Sequence, residues 1–217
     1  MDYKLAMLFS FSIVIPGVLA LALFTKIDKR YYPFIFCVFL GCMNEGLSYY
    51  LITHRIFSTV NNNIYVFAEA LLLMLYFKKA GVFEEKHTFT IVVWAIVLAW
   101  VLEMVVFKTV NQQGIYIRIF FSLLICFCSI SLINKILFSY QPRLLTNPDF
   151  FLCLCFIVYF SYKAIIQSFI IYGLTRDVPF QKKIYDILIY INLGVNLLYA
   201  LAVVWMSRKK KSLVQLM

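Results

Sequence analysis

Residues 31–53, YYPFIFCVFLGCMNEGLSYYLIT, decide the fold class. They hold one charge, Glu45, in a stretch longer than the ~20 mostly apolar residues that cross ~30 Å of hydrocarbon as a helix. Similar runs recur along the chain, approximately at 5–25, 62–78, 88–107, 115–139, 149–174 and 184–206. Composition agrees. Of 217 residues, 64% are hydrophobic and 14% charged, with a mean hydropathy of +0.89. Soluble domains run at about 45–50% apolar and about 25% charged. The expectation is an all-α, polytopic membrane protein of seven transmembrane helices. No connection is long enough to fold separately, so residues 1–217 form one domain.

Orientation follows from the excess of Lys and Arg that marks cytoplasmic loops. Lys26, Lys29, Arg30, Lys78, Lys79, Lys86, Arg143 and the tail Arg208–Lys211 fall on one side; Lys4, Arg55, Lys108, Arg176, Lys182 and Lys183 fall on the other. This places the N-terminus outside and the C-terminus in the cytoplasm. The net charge of +10 is then a topology signal and a lipid-headgroup contact, not a nucleic-acid footprint. The first run ends near Ala20-Leu-Ala22, which has the small residues of a signal cleavage site. Its strongest positive charges follow the run instead of preceding it, so it reads as a retained span.

A charge near the bilayer centre costs about 2.5–3.5 kcal/mol on insertion scales, so Glu45, Glu69 and Lys163 mark the candidate site. At ~1.5 Å per residue, Glu45 and Asn192 lie about 12 Å from the outer end of their runs, Glu69 about 10 Å and Lys163 about 16 Å. Polar residues recur beside them at helical spacing. Gly41, Glu45 and Tyr49 share a stripe in the second run, flanked by Asn44 and Ser48. Asn62, Tyr65 and Glu69 follow in the third, Tyr159, Lys163 and Gln167 in the sixth, and Asn192, Asn196 and Tyr199 in the seventh. Inward-facing stripes at matching depth imply a polar pocket in the outer half of the bundle. The ligand-binding set is therefore Glu45, Glu69, Lys163, Asn44, Tyr49, Tyr65, Tyr159, Gln167, Asn192 and Asn196. Two carboxylates and one ammonium leave one carboxylate over, for a proton, a hydrogen bond or a cationic guest; the tyrosines suit an amphipathic or cationic ligand. The alternative is an ion-pair and hydrogen-bond network that only fixes helix register.

Other marks read more plainly. Pro16 is expected to kink the first helix, with Ser12 bonding a freed carbonyl. Asn61, Asn62 and Asn63 are expected to cap the third. Lys135, with Asn134, is expected to snorkel to the cytoplasmic face. The six cysteines fall inside helices, and residues two apart on a helix diverge by about 200°, so the pairs Cys126/Cys128 and Cys153/Cys155 are expected to pack and not to bind a metal. No metal or other cofactor is expected.

Asn44-Glu45 in the second run, Asn63-Ile-Tyr65-x-x-x-Glu69 before a Leu-rich segment in the third, and Tyr185 to Asn192 in the seventh carry a resemblance. They resemble small, uncharacterised seven-helix integral membrane proteins of Bacteroidota. The high Ile, Phe, Tyr, Asn and Lys usage fits such a source. The resemblance covers the whole length in topology and implies a multi-pass protein of the cell inner membrane. Some relatives of that kind look like sensory input modules of signalling proteins, which implies reception of a small-molecule or lipid ligand and a cytoplasmic signalling partner; no established activity comes with them. Other seven-helix families fit poorly. The last run has no lysine for a retinal Schiff base, and His54 and His87 fall on opposite sides, so they cannot share a zinc ion. A receptor-like sensor is the leading expectation. The alternatives are an intramembrane enzyme acting on lipid with Glu45 or Glu69 as general acid/base, which lacks a nucleophile, and a small-solute or proton-coupled transporter, which lacks internal repeats.

Overall fold

Apolar side chains cannot bring unpaired peptide groups into hydrocarbon, so long helices that satisfy their own backbone are the form this composition permits. The computed structural model describes residues 9–107, 113–138, 144, 147–172 and 178–214, and among these the secondary structure is helical. Helix α1 (Val14–Leu23) is flanked by 3-10 turns at Phe11–Ile13 and Phe24–Lys26. Then come α2 (Tyr32–Thr53), α3 (Thr59–Lys79), α4 (Lys86–Val101), α5 (Ile115–Phe138), α6 (Pro148–Ile171) and α7 (Val178–Val214). Six stretches are long and apolar enough to cross a bilayer, as a multi-pass membrane protein requires: Lys29–Thr53, Thr59–Lys79, Lys86–Val106, Ile115–Phe138, Pro148–Ile171 and Lys183–Ser207. The seventh, Phe11–Lys26, is shorter. The span expected at 5–25 falls partly on residues outside those described, as do Lys4, Lys108, Arg143 and Arg176 of the charge count.

Local chemistry sets the helix ends. Asp28 accepts from the Arg30 amide (2.8 Å) at the 3-10 turn that leads into α2, and Pro33 lies in the first turn of that helix. Asn147 accepts from the Asp149 amide (3.1 Å), with Pro148 opening α6. The C-termini of α2 and α3 close in the same way. Val82 donates to the Phe77 carbonyl and Gly81 to Lys78; Ile56 donates to Leu51 and Arg55 to Ile52. Both are Schellman caps, which need a left-handed residue. Gly81 supplies it at φ 83° and Arg55 at φ 58°.

Two expectations are corrected. Helix α3 begins at Thr59, so Asn61–Asn63 lie within its opening turns, and the side chains of Asn61 and Asn63 reach other elements instead of capping. Asn61 donates to Asn44 Oδ1 (2.8 Å) and Ser48 Oγ (3.3 Å), while Asn63 Oδ1 accepts from Arg118 (3.1 Å) and the Gly114 amide (3.4 Å). The span expected at 184–206 matches Lys183–Ser207, and helix α7 runs on past it to Val214, because Lys and Arg are helix formers comparable to Leu and a change of polarity is no stop signal. Near Pro16 a 3-10 turn precedes the helix, and the Ser12 hydroxyl accepts from Asn196 Nδ2 (2.8 Å) instead of bonding a freed carbonyl.

Consecutive helices run antiparallel, so the α2–α3, α4–α5 and α6–α7 connections share one end of the bundle. Helices α1, α2, α3, α5, α6 and α7 close a ring, with α3 packed directly on α5 and the α5–α6 pair the most extensive. Helix α4 lies outside that ring, held by Phe67 against Trp100 (ring centres 5.0 Å apart). Only 17% of its most apolar stretch is buried, against 50% for α5 and α6, and Ile91, Trp94 and Leu98 stay exposed. It ends in a π-helical turn, Leu102–Val106. Small residues bring α1 onto α2: a Cβ on Gly17 would lie 2.8 Å from Cys42 Sγ, and one on Gly41 2.8 Å from Ile13 Cδ1. The cysteines are free and mostly buried, packing as small apolar side chains. Below the centre, Phe34, Phe77, Phe156 and Tyr199 interlock edge to face across α2, α3, α6 and α7. Lys135 reaches the Gly81 carbonyl (2.8 Å) at the far end of the bundle, as a snorkelling lysine does.

Candidate functional site

The Cα–Cβ bond of every helical residue tilts toward its helix N-terminus. Helix α3 starts at the α2–α3 end of the bundle and α6 starts at the opposite end. Their side chains therefore lean in opposite senses along the bundle axis, and Glu69 meets Lys163 across it. Lys163 Nζ donates to Glu69 Oε2 at 3.2 Å, with side chains 12% and 9% exposed. The Tyr65 hydroxyl, one turn before Glu69, donates to Oε1 (2.9 Å). The Lys163 ammonium also lies over Tyr159 and Phe160, 5.4 and 5.2 Å from the ring centres.

Beside this pair is a cavity of about 80 Å³. Of the residues expected to bind ligand, Glu45, Tyr65, Glu69, Tyr159, Asn192 and Asn196 line it. Lys163 stands behind Glu69. The remaining wall includes Ser10, Gly41 and the rings of Phe34, Phe156, Phe160 and Tyr199. Glu45 has no hydrogen-bond or ion-pair partner among the described residues, and neither has Asn192. Asn196 is committed to Ser12.

Asn44, Tyr49 and Gln167 lie elsewhere. A step of four residues overshoots a full turn by about 40°. Across Gly41, Glu45 and Tyr49 the stripe therefore rotates by about 80°, and Tyr49 emerges 43% exposed, edge-on to Phe11 at 6.1 Å. Asn44 turns to α3, where it accepts from Asn61. Gln167 is buried off the cavity, its Oε1 without a hydrogen-bond partner. The aromatic wall had no signal in the sequence, since a phenylalanine facing a cavity reads the same as one facing lipid.

Two further polar clusters frame the bundle. Near the α2–α3 end, Glu103 from the π-turn accepts from the Tyr116 and Ile117 amides (3.1 and 2.5 Å), holding the first turn of α5. One turn into that helix, Arg118 is 7% exposed and binds Asn63. At the opposite end Asp149 is a hub: Oδ2 takes Arg30 and the Tyr31 hydroxyl (3.2 Å), and Oδ1 takes the Tyr76 hydroxyl (3.1 Å). The sequence marks Arg30 as a topology signal and gives Asp149 no role; the available clue is an acid at the very start of the apolar run 149–174. Among the described residues no group of three or more His, Cys, Asp or Glu side chains is placed to hold a metal ion. No family model, curated protein or solved structure matches this chain.

Proposed function

We propose that this chain is a receptor-like membrane module of seven spans, N-terminus outside and C-terminus cytoplasmic, that binds a small ligand in the cavity beside Glu69 and Lys163. One observation carries the reading: Lys163 neutralises Glu69, while Glu45 faces the same cavity with no partner. Glu45 is half-buried in a spanning helix, where an ionisable group without compensation is costly, and this points to a guest that supplies the missing contact. The volume favours a ligand of a few non-hydrogen atoms over a lipid, since drug-sized molecules occupy about 300–1,000 Å³.

The Glu69–Lys163 pair ties α3 to α6, and Tyr159, whose ring lies against the Lys163 ammonium, lines the cavity together with Glu45 and Glu69. A guest beside Glu45 changes the field at that tie, and α7, which lines the cavity and continues into the basic tail, is the element a cytoplasmic partner would read. The test is a thermal-shift screen of chemically varied small molecules on the full chain in lipid nanodiscs. At least one class should stabilise the wild type and leave Val38→Phe, whose ring fills the cavity, unmoved. If every compound shifts both proteins alike, or none shifts the wild type, the cavity is not a ligand site. Val195→Phe fills it from α7 should the first variant fold poorly.

A further inference from the structure

The charges around the cavity can be followed one by one. Glu69 is bonded to Lys163 and Tyr65. Glu103 is taken up by the first amides of α5, and Arg118 by Asn63. Asn44 is bonded to Asn61, and Asn196 to Ser12. In the wall the Glu45 carboxylate on α2 and the Asn192 amide on α7 remain over, together with the hydroxyls of Ser10, Tyr159 and Tyr199. The rest of the surface is chiefly aromatic and aliphatic, and Lys163 already occupies the approach to the Tyr159 and Phe160 rings.

Three kinds of guest carry the positive charge that Glu45 lacks. A hard metal ion takes about six or more oxygens and favours several carboxylates, and among the described residues no group of three or more His, Cys, Asp or Glu side chains is placed to hold one. A proton leaves the cavity to water, to which the rings of Phe34, Phe156 and Phe160 offer no hydrogen bond. An organic ammonium uses every part: charged N–H to Glu45, a second N–H to the Asn192 carbonyl, and its alkyl part on the faces and edges of Phe34, Phe156 and Tyr199.

We propose that the cavity is a site for a small alkylammonium, the protonated form of a primary amine of a few carbons, with Glu45 as its counter-ion and Asn192 as its second polar contact. This rests on the cavity being a ligand site, as argued above. A guest near the size of ethyl- or propylammonium suits about 80 Å³.

The experiment is thermal unfolding of the full chain in nanodiscs with ethylammonium, propylammonium, sodium or potassium chloride at matched ionic strength. At a hundred times its dissociation constant, propylammonium should raise the midpoint of the wild type by about 5–10 °C. Sodium and potassium should not. Glu45→Gln, close to isosteric and relieved of an unpaired charge, should stay folded and lose the shift; Asn192→Leu should weaken binding about tenfold. Equal shifts with sodium and propylammonium, a shift that survives Glu45→Gln, or no shift with either amine would each overturn the proposal. A neutral or anionic compound that binds the wild type but not Val38→Phe, alongside silent amines, would overturn the ligand class and leave the cavity reading standing.

Discussion

Lys163 on α6 and Glu69 on α3 meet at 3.2 Å from positions 94 residues apart, and together they form an ion pair deep within two spanning helices. Their partnership assigns the other acid, Glu45, to the cavity.

Breaking the pair from one side leaves a buried charge alone, which costs about 3–5 kcal/mol. Lys163→Met should therefore destabilise strongly, and Lys163→Met with Glu69→Gln should recover most of the loss. Reversible unfolding in lipid, taken around a double-mutant cycle, reads the coupling. Additive losses would show that the two groups do not support each other.

The Asp149 hub joins α2, α3 and α6 at the opposite end. Asp149→Leu strands Arg30 and two tyrosine hydroxyls and should cost about 2–4 kcal/mol; Tyr76→Phe removes one hydrogen bond and should cost about 1 kcal/mol. The same unfolding measurement should give that order. A larger effect for Tyr76→Phe would mean that the ring contacts with Phe156 and Phe77, not the hub, carry the stability.

Glu103 supplies acceptors to amides that have no partner within α5. Glu103→Ala should speed hydrogen exchange at Tyr116 and Ile117 by about five- to thirtyfold, corresponding to about 1–2 kcal/mol of lost capping, with little change in mid-α5. Unchanged exchange at those two amides would remove Glu103 from this role.

The two Schellman caps differ in the residue that occupies the left-handed position. Arg55→Gly relieves a conformation costing a residue with a Cβ about 1 kcal/mol and should stabilise by about that much; Gly81→Ala should destabilise by a similar amount. Midpoint shifts of opposite sign for the two variants check the pair.

Helix positions were legible because length and hydropathy are local properties. The expected 31–53, 88–107, 115–139 and 149–174 match α2, the α4 stretch, α5 and α6 to within a few residues. The start of α3 was misread for a related reason: Asn61–Asn63 look like a boundary by polarity, yet backbone hydrogen bonding continues through them. Within the site, Glu69, Lys163 and Tyr65 were legible because each sits among apolar neighbours where a polar group needs a reason. Tyr49 and Asn44 were misplaced because a four-residue step does not close a turn, and rotation accumulates along the stripe.

The sequence by itself determined a helical, polytopic chain and the residues whose burial would be costly, since transfer of a side chain into hydrocarbon depends on its own chemistry. Which of those residues satisfy one another is a matter of distance across helices, and distance is set by packing. Gly17 and Gly41 let α1 approach α2 closely, α4 lies outside the ring so that α3 touches α5, and the closed ring brings Lys163 of α6 to Glu69 of α3. Only that arrangement left Glu45 facing a cavity without a partner.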